Sequence, residues 1–290
     1  MTQIVGRVPR GHVVRAEGKT KIIWVRIRKR KKRGLAQNKP FVTAGDGKHR
    51  EFVPGKEIAV TETTCNIFRL LNRSGIPTHY HKKINADTYL ISLLDMIPIE
   101  IVVRRKAFGS YLKRNSHEAE GTTFAQPLVE FFYKNDTMSD PMMIWQPEHQ
   151  CFRLYHPHEP PEERGAIGDL KAGLDPLIPR NEAEIERLEV IAIEAFLVLE
   201  EAFKHVGITL VDFKIECGYD QDRRLYIGDQ IDGDSCRLWM GGDKSKAVDK
   251  DRYRNIVKQG RVPTPEERAL IIGDYQRIAT MASSFGLMGL

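Results

Sequence analysis

The sequence predicts an α+β fold built mainly from antiparallel strands, on three observations. Val13-Val14-Arg15, a glycine turn at Gly18 and the run from Lys19 to Val25 read as strand, turn, strand. Ile185, Leu188, Ala192, Ala195, Phe196, Leu199 and Phe203 form an apolar stripe at helical spacing behind Asn181, a residue type that caps helices. The segment Leu210-Val211-Asp212-Phe213-Lys214-Ile215-Glu216 alternates strictly, passes a polar turn at 219–222 and returns as a strand over 225–229.

The remaining elements follow in order. After the first hairpin, the stretch RIRKRKKRGLAQNK reads as a long hairpin tip, and Pro40-Phe41-Val42-Thr43 resumes a strand pattern. Residues 62–71 have helical spacing, and Ser74-Gly75-Ile76-Pro77 ends that helix. Residues 96–103 are β-branched and short enough for a buried strand. Residues 145–179 carry several prolines and little periodicity, which predicts an irregular excursion, and a last helix is expected over 266–283.

A chain of 290 residues, 41% hydrophobic and 29% charged, can bury an ordinary core. No apolar run reaches the roughly 18 residues of a membrane span, and the N-terminus lacks a signal-peptide stretch, so the cytoplasm is the expected compartment. Cys65, Cys151, Cys217 and Cys236 are dispersed, which suits reduced thiols. The net charge of +6 is concentrated in Arg26, Arg28, Lys29, Arg30, Lys31, Lys32 and Arg33; these seven outweigh the total by one, leaving the rest of the chain at −1. Such a run could bind nucleic acid or simply be a solvated tip.

Candidate chemistry is carried by several groups. Asp212, Lys214 and Glu216 share one strand face, and Asp229 on the returning strand could join them around a hard divalent cation such as magnesium; the competing reading is a solvated ionic face. Lys19 and Lys21, two apart beside Gly18, could clamp phosphates or simply face water. Arg104, Ser110 and Arg237 suit a phosphomonoester, because guanidinium forks bind phosphate bidentately. The pairs His79/His81 and His156/His158 lack further ligands at metal-site spacing. There is no GxxxxGK[ST] loop and no GxGxxG fingerprint.

Six blocks, AEGKTKIIW, TAGDGKHR, MIPIEIVVRRKAFGSYLKR, FFYKNDTMSDPM, LVDFKIECG and GDQIDGDSCRLW, together resemble the SAICAR synthetase family in order and register, from about Arg15 to Tyr253, and look closest to its animal-type branch. The resemblance implies a two-lobed fold with a small antiparallel domain over 1–95, a larger α+β domain over 96–290 and ATP in the cleft between them. It implies an ATP-dependent ligase joining L-aspartate to the carboxylate of carboxyaminoimidazole ribonucleotide (CAIR), with magnesium, and a possible homo-oligomer. By similarity Lys19, Lys21 and Lys134 would contact ATP, Glu216 and Asp229 would hold magnesium, and adenine would lie against the 96–103 strand. Arg104, Ser110 and Arg237 would grip the CAIR phosphate, Asp212 and Lys214 would orient its imidazole and carboxylate, and Asp46 would edge the aspartate subsite.

Two positions depart from the family pattern. Gln230 stands where many members have glutamate, although animal-type members also lack it, and His49 stands where arginine is usual. Animal-type relatives commonly continue into a carboxylase domain, whereas this sequence stops at Leu290, so that activity is not expected of it. Two other functions compete: a different ATP-using phosphotransferase on a kinase-like scaffold, and a nucleic-acid-binding protein using the basic run.

Overall fold

The computed structural model describes residues 9–27, 32–45, 47–173 and 175–287. The first strands, β1 (His12–Glu17), β2 (Lys21–Arg26) and β3 (Arg33–Asn38), are followed by the small hairpin β4 (Phe41–Ala44) and β5 (His49–Phe52), the helix α1 (Lys56–Arg73), and β6 (Tyr80–Lys83) and β7 (Thr88–Ser92). A five-stranded antiparallel sheet runs in the order β1-β2-β3-β7-β6. Residues 34–38, expected in the basic tip, are strand: Gly34 pairs with Val25 and Asn38 with Lys21. The alternation there is carried by Leu35 and by small or amide residues, a weak signal beside a run of like charges. Residues 28–31, which carry most of that run, lie outside the described residues.

The second sheet begins with the long strand β8 (Asp95–Lys106), followed by α2 (Ser110–Arg114), β9 (Thr123–Tyr133), β10 (Met142–Gln146), β11 (Cys151–Tyr155), the single turn α3 (Pro161–Arg164) and β12 (Ala166–Lys171). The 145–179 segment is therefore not the irregular excursion expected: it holds the end of β10, all of β11 and β12 and the turn α3 between them. Its prolines, at 147, 157, 160, 161, 176 and 179, all lie outside the strands, Pro161 opening α3, and strands of five or six residues between them give little periodicity to read.

Next come α4 (Glu182–His205), β13 (Ile208–Tyr219), β14 (Leu225–Ile227), β15 (Cys236–Met240), α5 (Asp251–Lys258) and α6 (Pro265–Ser283). The eight-stranded sheet runs β12-β11-β10-β9-β8-β13-β14, and β15 also pairs with β13. Asn181 caps α4 as expected, its side chain accepting from Glu184 N at 3.0 Å. Thr264 and Glu267 form a capping box at the start of α6.

The main core joins both sheets to α1 and α4. On β13 the odd-numbered face, including Phe213 and Ile215, is buried with α4; Phe196 meets Phe213 edge-on at 5.3 Å. The even-numbered face, Asp212, Lys214 and Glu216, lies opposite. A second, smaller core joins β4 and the start of α1 to α5 and α6 through Val42, Val53, Val60, Tyr253, Ile256 and Tyr275. The two sheets also touch through a parallel bridge between Thr78 and Ile227.

Phe196 is fully buried at the α4–β13 contact. Phe196→Ala is expected to lower the unfolding free energy by about 3–5 kcal/mol, read as a shifted urea midpoint with little change in slope.

Candidate active site

The even face of β13 is the floor of the site because three strands bring their ionic residues into one row. Arg104 on β8 lies opposite Asp212, which lies opposite Arg237 on β15. Asp212 Oδ2 accepts from Arg104 Nη1 at 2.7 Å and from Arg237 Nη1. One step along, Lys214 donates to Glu100 at 2.5 Å, and Lys134 donates to Glu216 at 2.7 Å. Asp212 and Glu216 are each only 6% exposed, so this is a buried ionic face and not the solvated one that alternation alone allows. Burying so many charges is tolerable only because each has an opposite partner.

One end of the row opens into a cleft of about 380 Å³ lined by Arg104, Ser110, Arg237, Lys250 and Arg254. Arg104 Nη2 lies 3.2 Å from Ser110 Oγ. Arg237 rests over the Phe108 ring at 4.9 Å and against Gly109, where φ is +65° and a Cβ would come within 3.1 Å of the guanidinium; only glycine fits there without strain. Burial works against the Arg237 charge, but Asp212 and Asp251 outweigh it and raise its pKa. The sequence-predicted trio Arg104, Ser110 and Arg237 thus converges.

At the other end a smaller pocket of about 190 Å³ has walls of Ile23, Ile91, Leu93, Leu94 and Met96 and a charged base of Lys21, Glu216 and Asp229. Its apolar walls and polar base suit a flat heterocycle carrying phosphates. Lys21 pairs with Asp229, whose φ of +54° is unusual for a residue other than glycine. Burial opposes ionisation of Asp229, but Lys21 and Lys214 outweigh it and bring its pKa down to about 2. Glu216 goes the other way: burial and then Asp229 raise its pKa, opposed by Lys214 and Lys134. Lys214 remains an ammonium, since Glu100, Glu216 and Asp229 overcome its burial and raise its pKa.

The donor set fits magnesium. Glu216 and Asp229 are hard carboxylates close enough to repel, and among the described residues no group of three or more His, Cys, Asp and Glu forms a complete cage. Magnesium typically takes one or two carboxylates and completes its shell with water and phosphate oxygens. The histidine pairs make no metal site among the described residues: buried His79 has its pKa lowered to about 3, mainly by burial and then by Lys21, and His81 bonds Ser92 at 2.9 Å.

Three expectations need correction or bounding. Lys19 and Lys21 do not share a strand face: Lys19 is in the turn before β2 and lines the larger cleft, whereas Lys21 opens β2 and lines the smaller pocket. The turn is closed by the Gly18 N–H bonding the Lys21 carbonyl at 2.8 Å, so the strand begins two residues later than the sequence suggests. Asp229 lies beyond β14, which ends at Ile227; its left-handed backbone stops the strand. Asp46 lies outside the described residues, although its neighbours Gly45 and Gly47 line the larger cleft.

Sequence reasoning missed Glu100, Lys56, Asp234, Lys250 and Arg254. Glu100 was legible as a charge two before Val102 and four before Arg104 on a strand otherwise read as buried. Lys56, 1% exposed, donates to Asp234 at 2.7 Å from 178 residues away, and no local pattern encodes that pairing.

Fold and site together define a phosphate-handling enzyme, with a heterocycle-sized pocket and a guanidinium-lined cleft at opposite ends of one ionic strand row. The family model described as SAICAR synthetase matches residues 14–268, and the chain belongs to that family. It is 36% identical to the phosphoribosylaminoimidazole-succinocarboxamide synthase of Herpetosiphon aurantiacus, over 93% of this chain and 97% of that one. It is also 36% identical to the bifunctional purine synthesis protein purC/E of Dictyostelium discoideum, over 88% of this chain but only 24% of that much longer protein. A solved SAICAR synthetase (Type-2) in complex with ADP superposes with a TM-score of 0.71 at 28% identity, covering 93% of this chain and 97% of that one.

Burial opposes the Asp234 charge, but Lys56 and Lys250 outweigh it and hold its pKa below the usual carboxylate range. A depressed folded-state pKa stabilises the protein above the unfolded-state value, a contribution lost as pH falls through the folded one. Lys56→Met leaves this buried carboxylate with only the Tyr275 hydroxyl and the Lys250 charge, and is expected to cost about 3 kcal/mol near neutral pH. The deficit should narrow toward pH ~4 and below, where protonation relieves the unpaired charge, as urea unfolding at several pH values would show.

Proposed function

We propose that this chain catalyses ATP-dependent ligation of L-aspartate to the carboxylate of CAIR, giving SAICAR, ADP and phosphate in purine biosynthesis. The observation that carries the reading is the ionic row, which joins a phosphomonoester-sized cation pocket to a nucleotide-sized pocket across the width of two side chains on β13. ATP takes the smaller pocket, between a lobe of residues 1–95 and a lobe of residues 96–290, its base against Leu94 and Met96 and its phosphates toward Lys21, Lys19 and Lys134. Arg104, Ser110 and Arg237 hold the CAIR phosphate, and Asp46 edges the aspartate subsite.

A carboxylate is a poor acyl donor because oxide is a poor leaving group. The CAIR carboxylate oxygen therefore attacks the γ-phosphorus of ATP, the bond to the ADP oxygen breaks, and an acyl phosphate forms. The aspartate amine then attacks the acyl carbon, loses a proton, and phosphate departs as the amide forms. Asp212 and Lys214 orient the imidazole and carboxylate, and Lys214 stays a fixed cation that offsets charge on the transferred group. Glu216 and Asp229 would hold magnesium, which when bound neutralises phosphate charge. The cytoplasm is the proposed compartment, in keeping with four buried, unpaired cysteines; among the described residues no helix is long and apolar enough to cross a membrane.

The direct test is an omission assay: product is expected only when CAIR, aspartate, ATP and magnesium are all present. Product without ATP, or none from folded protein in the complete mixture, would rule the assignment out.

Glu216→Gln and Asp229→Asn should each reduce turnover strongly, raise the magnesium requirement and leave CAIR binding intact. Because two ligands of one ion act together, the double amide should add little. Additive losses in this double-mutant cycle, or an unaltered magnesium titration, would move the ion elsewhere.

A further inference from the structure

The cleft face carries ionic residues beyond those a substrate would touch. Glu130 on β9 faces the same side as Arg104, two residues along in register: Glu130 opposes Val102, and Arg104 opposes Leu128. Glu130 Oε2 accepts from Arg104 Nε at 2.7 Å, while its Oε1 accepts from Arg114 Nη2. Arg114 ends α2 and also donates to the Pro157 carbonyl, between β11 and α3. The Glu130 side chain is 9% exposed and that of Arg114 2%, so both carboxylate oxygens are committed in a nearly dry setting.

This arrangement determines how Arg104 is held. Its Nη1 meets Asp212 and its Nη2 meets Ser110, both at the cleft, whereas its Nε points away from the cleft residues and is taken by Glu130. A guanidinium is planar, so fixing Nε fixes the plane of both terminal nitrogens. Without that anchor the fork could turn about its last bonds and lose the alignment that bidentate phosphate binding requires.

We propose that Glu130, itself locked by Arg114, is a positioning residue for the phosphate end of CAIR. The proposal rests on the phosphate-pocket reading above. It links the meander β10–β12 to the substrate site through a chain of contacts, because the Pro157 carbonyl holds Arg114, which holds Glu130, which holds Arg104. The same alternation of charge continues on the far side of Asp212, where Asp251 accepts from Arg237 at 3.2 Å and from Arg254 at 2.7 Å. The resulting row has one more guanidinium than carboxylate, so geometry, and not a large excess of charge, must confer selectivity for a phosphate dianion.

Positioning and simple electrostatics predict opposite signs for one substitution. Glu130→Gln removes an anion near the pocket at almost constant shape; if charge alone mattered, a phosphate ligand would bind more tightly. The positioning role predicts that KM for CAIR rises about tenfold or more while KM for ATP stays within about twofold, as expected for loss of a charged hydrogen bond. Inorganic phosphate, used as a competitive inhibitor against CAIR, should weaken by a similar factor. Arg114→Lys, which keeps the charge but loses the fork, should shift both constants in the same direction. Urea midpoints confirm that each variant is folded, and Arg153→Gln, on an exposed pair with Asp169, serves as the control.

Arg237→Ala run in parallel separates the two readings. If it weakens CAIR and phosphate while folded Glu130→Gln leaves them unchanged or tighter, the positioning role is wrong and the pocket stands. If neither variant selectively weakens CAIR, both are wrong. Equal losses for CAIR and ATP in Glu130→Gln with phosphate inhibition unchanged would also overturn the proposal.

Discussion

The site depends on Asp212 standing between Arg104 and Arg237. Two guanidinium groups on strands flanking β13 repel, and neither would remain in a dry cleft without a shared counter-charge. A single carboxylate oxygen, Oδ2, takes a donor from each. The β13–β15 register that sets Asp212 opposite Arg237 is adjusted by an irregularity between Leu210 and Asp212. A bulge is a way to re-aim side chains at a functional edge, and here it falls immediately before Asp212.

The two ends of the row use different cations for physical reasons. Arginine occupies the end suited to a phosphomonoester, where a rigid fork gives orientation as well as charge. Lysine carries the row from there to the smaller pocket: Lys214 lines the larger cleft and Lys21 the smaller pocket, each a compact charge on an unbranched stem, with Lys134 paired to Glu216 between Lys214 and Asp229. Their resting partners are Asp229, Glu216 and Glu100. Ligand entry therefore exchanges one set of ionic contacts for another and does not create charge pairing in an empty space.

What the sequence disclosed follows from how local each signal is. The α4 stripe, the Asn181 cap and the alternation of β13 are encoded within a few residues, and all were legible. The convergence of Arg104 and Ser110 with Arg237 came from family resemblance, because Arg237 reaches the other two only through pairing between β8, β13 and β15. Strands β10 to β12 were hidden by their prolines, and Lys56–Asp234 by its sequence separation. Asp229 was read as strand because nothing in its residue type announces a left-handed backbone.

The smaller core has a consequence for how the chain is made. Val42, Val53 and Val60 near the start are covered by Tyr253, Ile256 and Tyr275 near the end. A ribosome delivers the first group long before the second, so during synthesis this side of α1 and the β4–β5 hairpin stays bare while most of the large sheet is already available to pair. Such long-range closure is slow and exposes apolar surface in the interval. Completion of the fold on this side thus waits for α5 and α6, and a nascent chain halted before residue 253 would leave Val42, Val53 and Val60 without that cover.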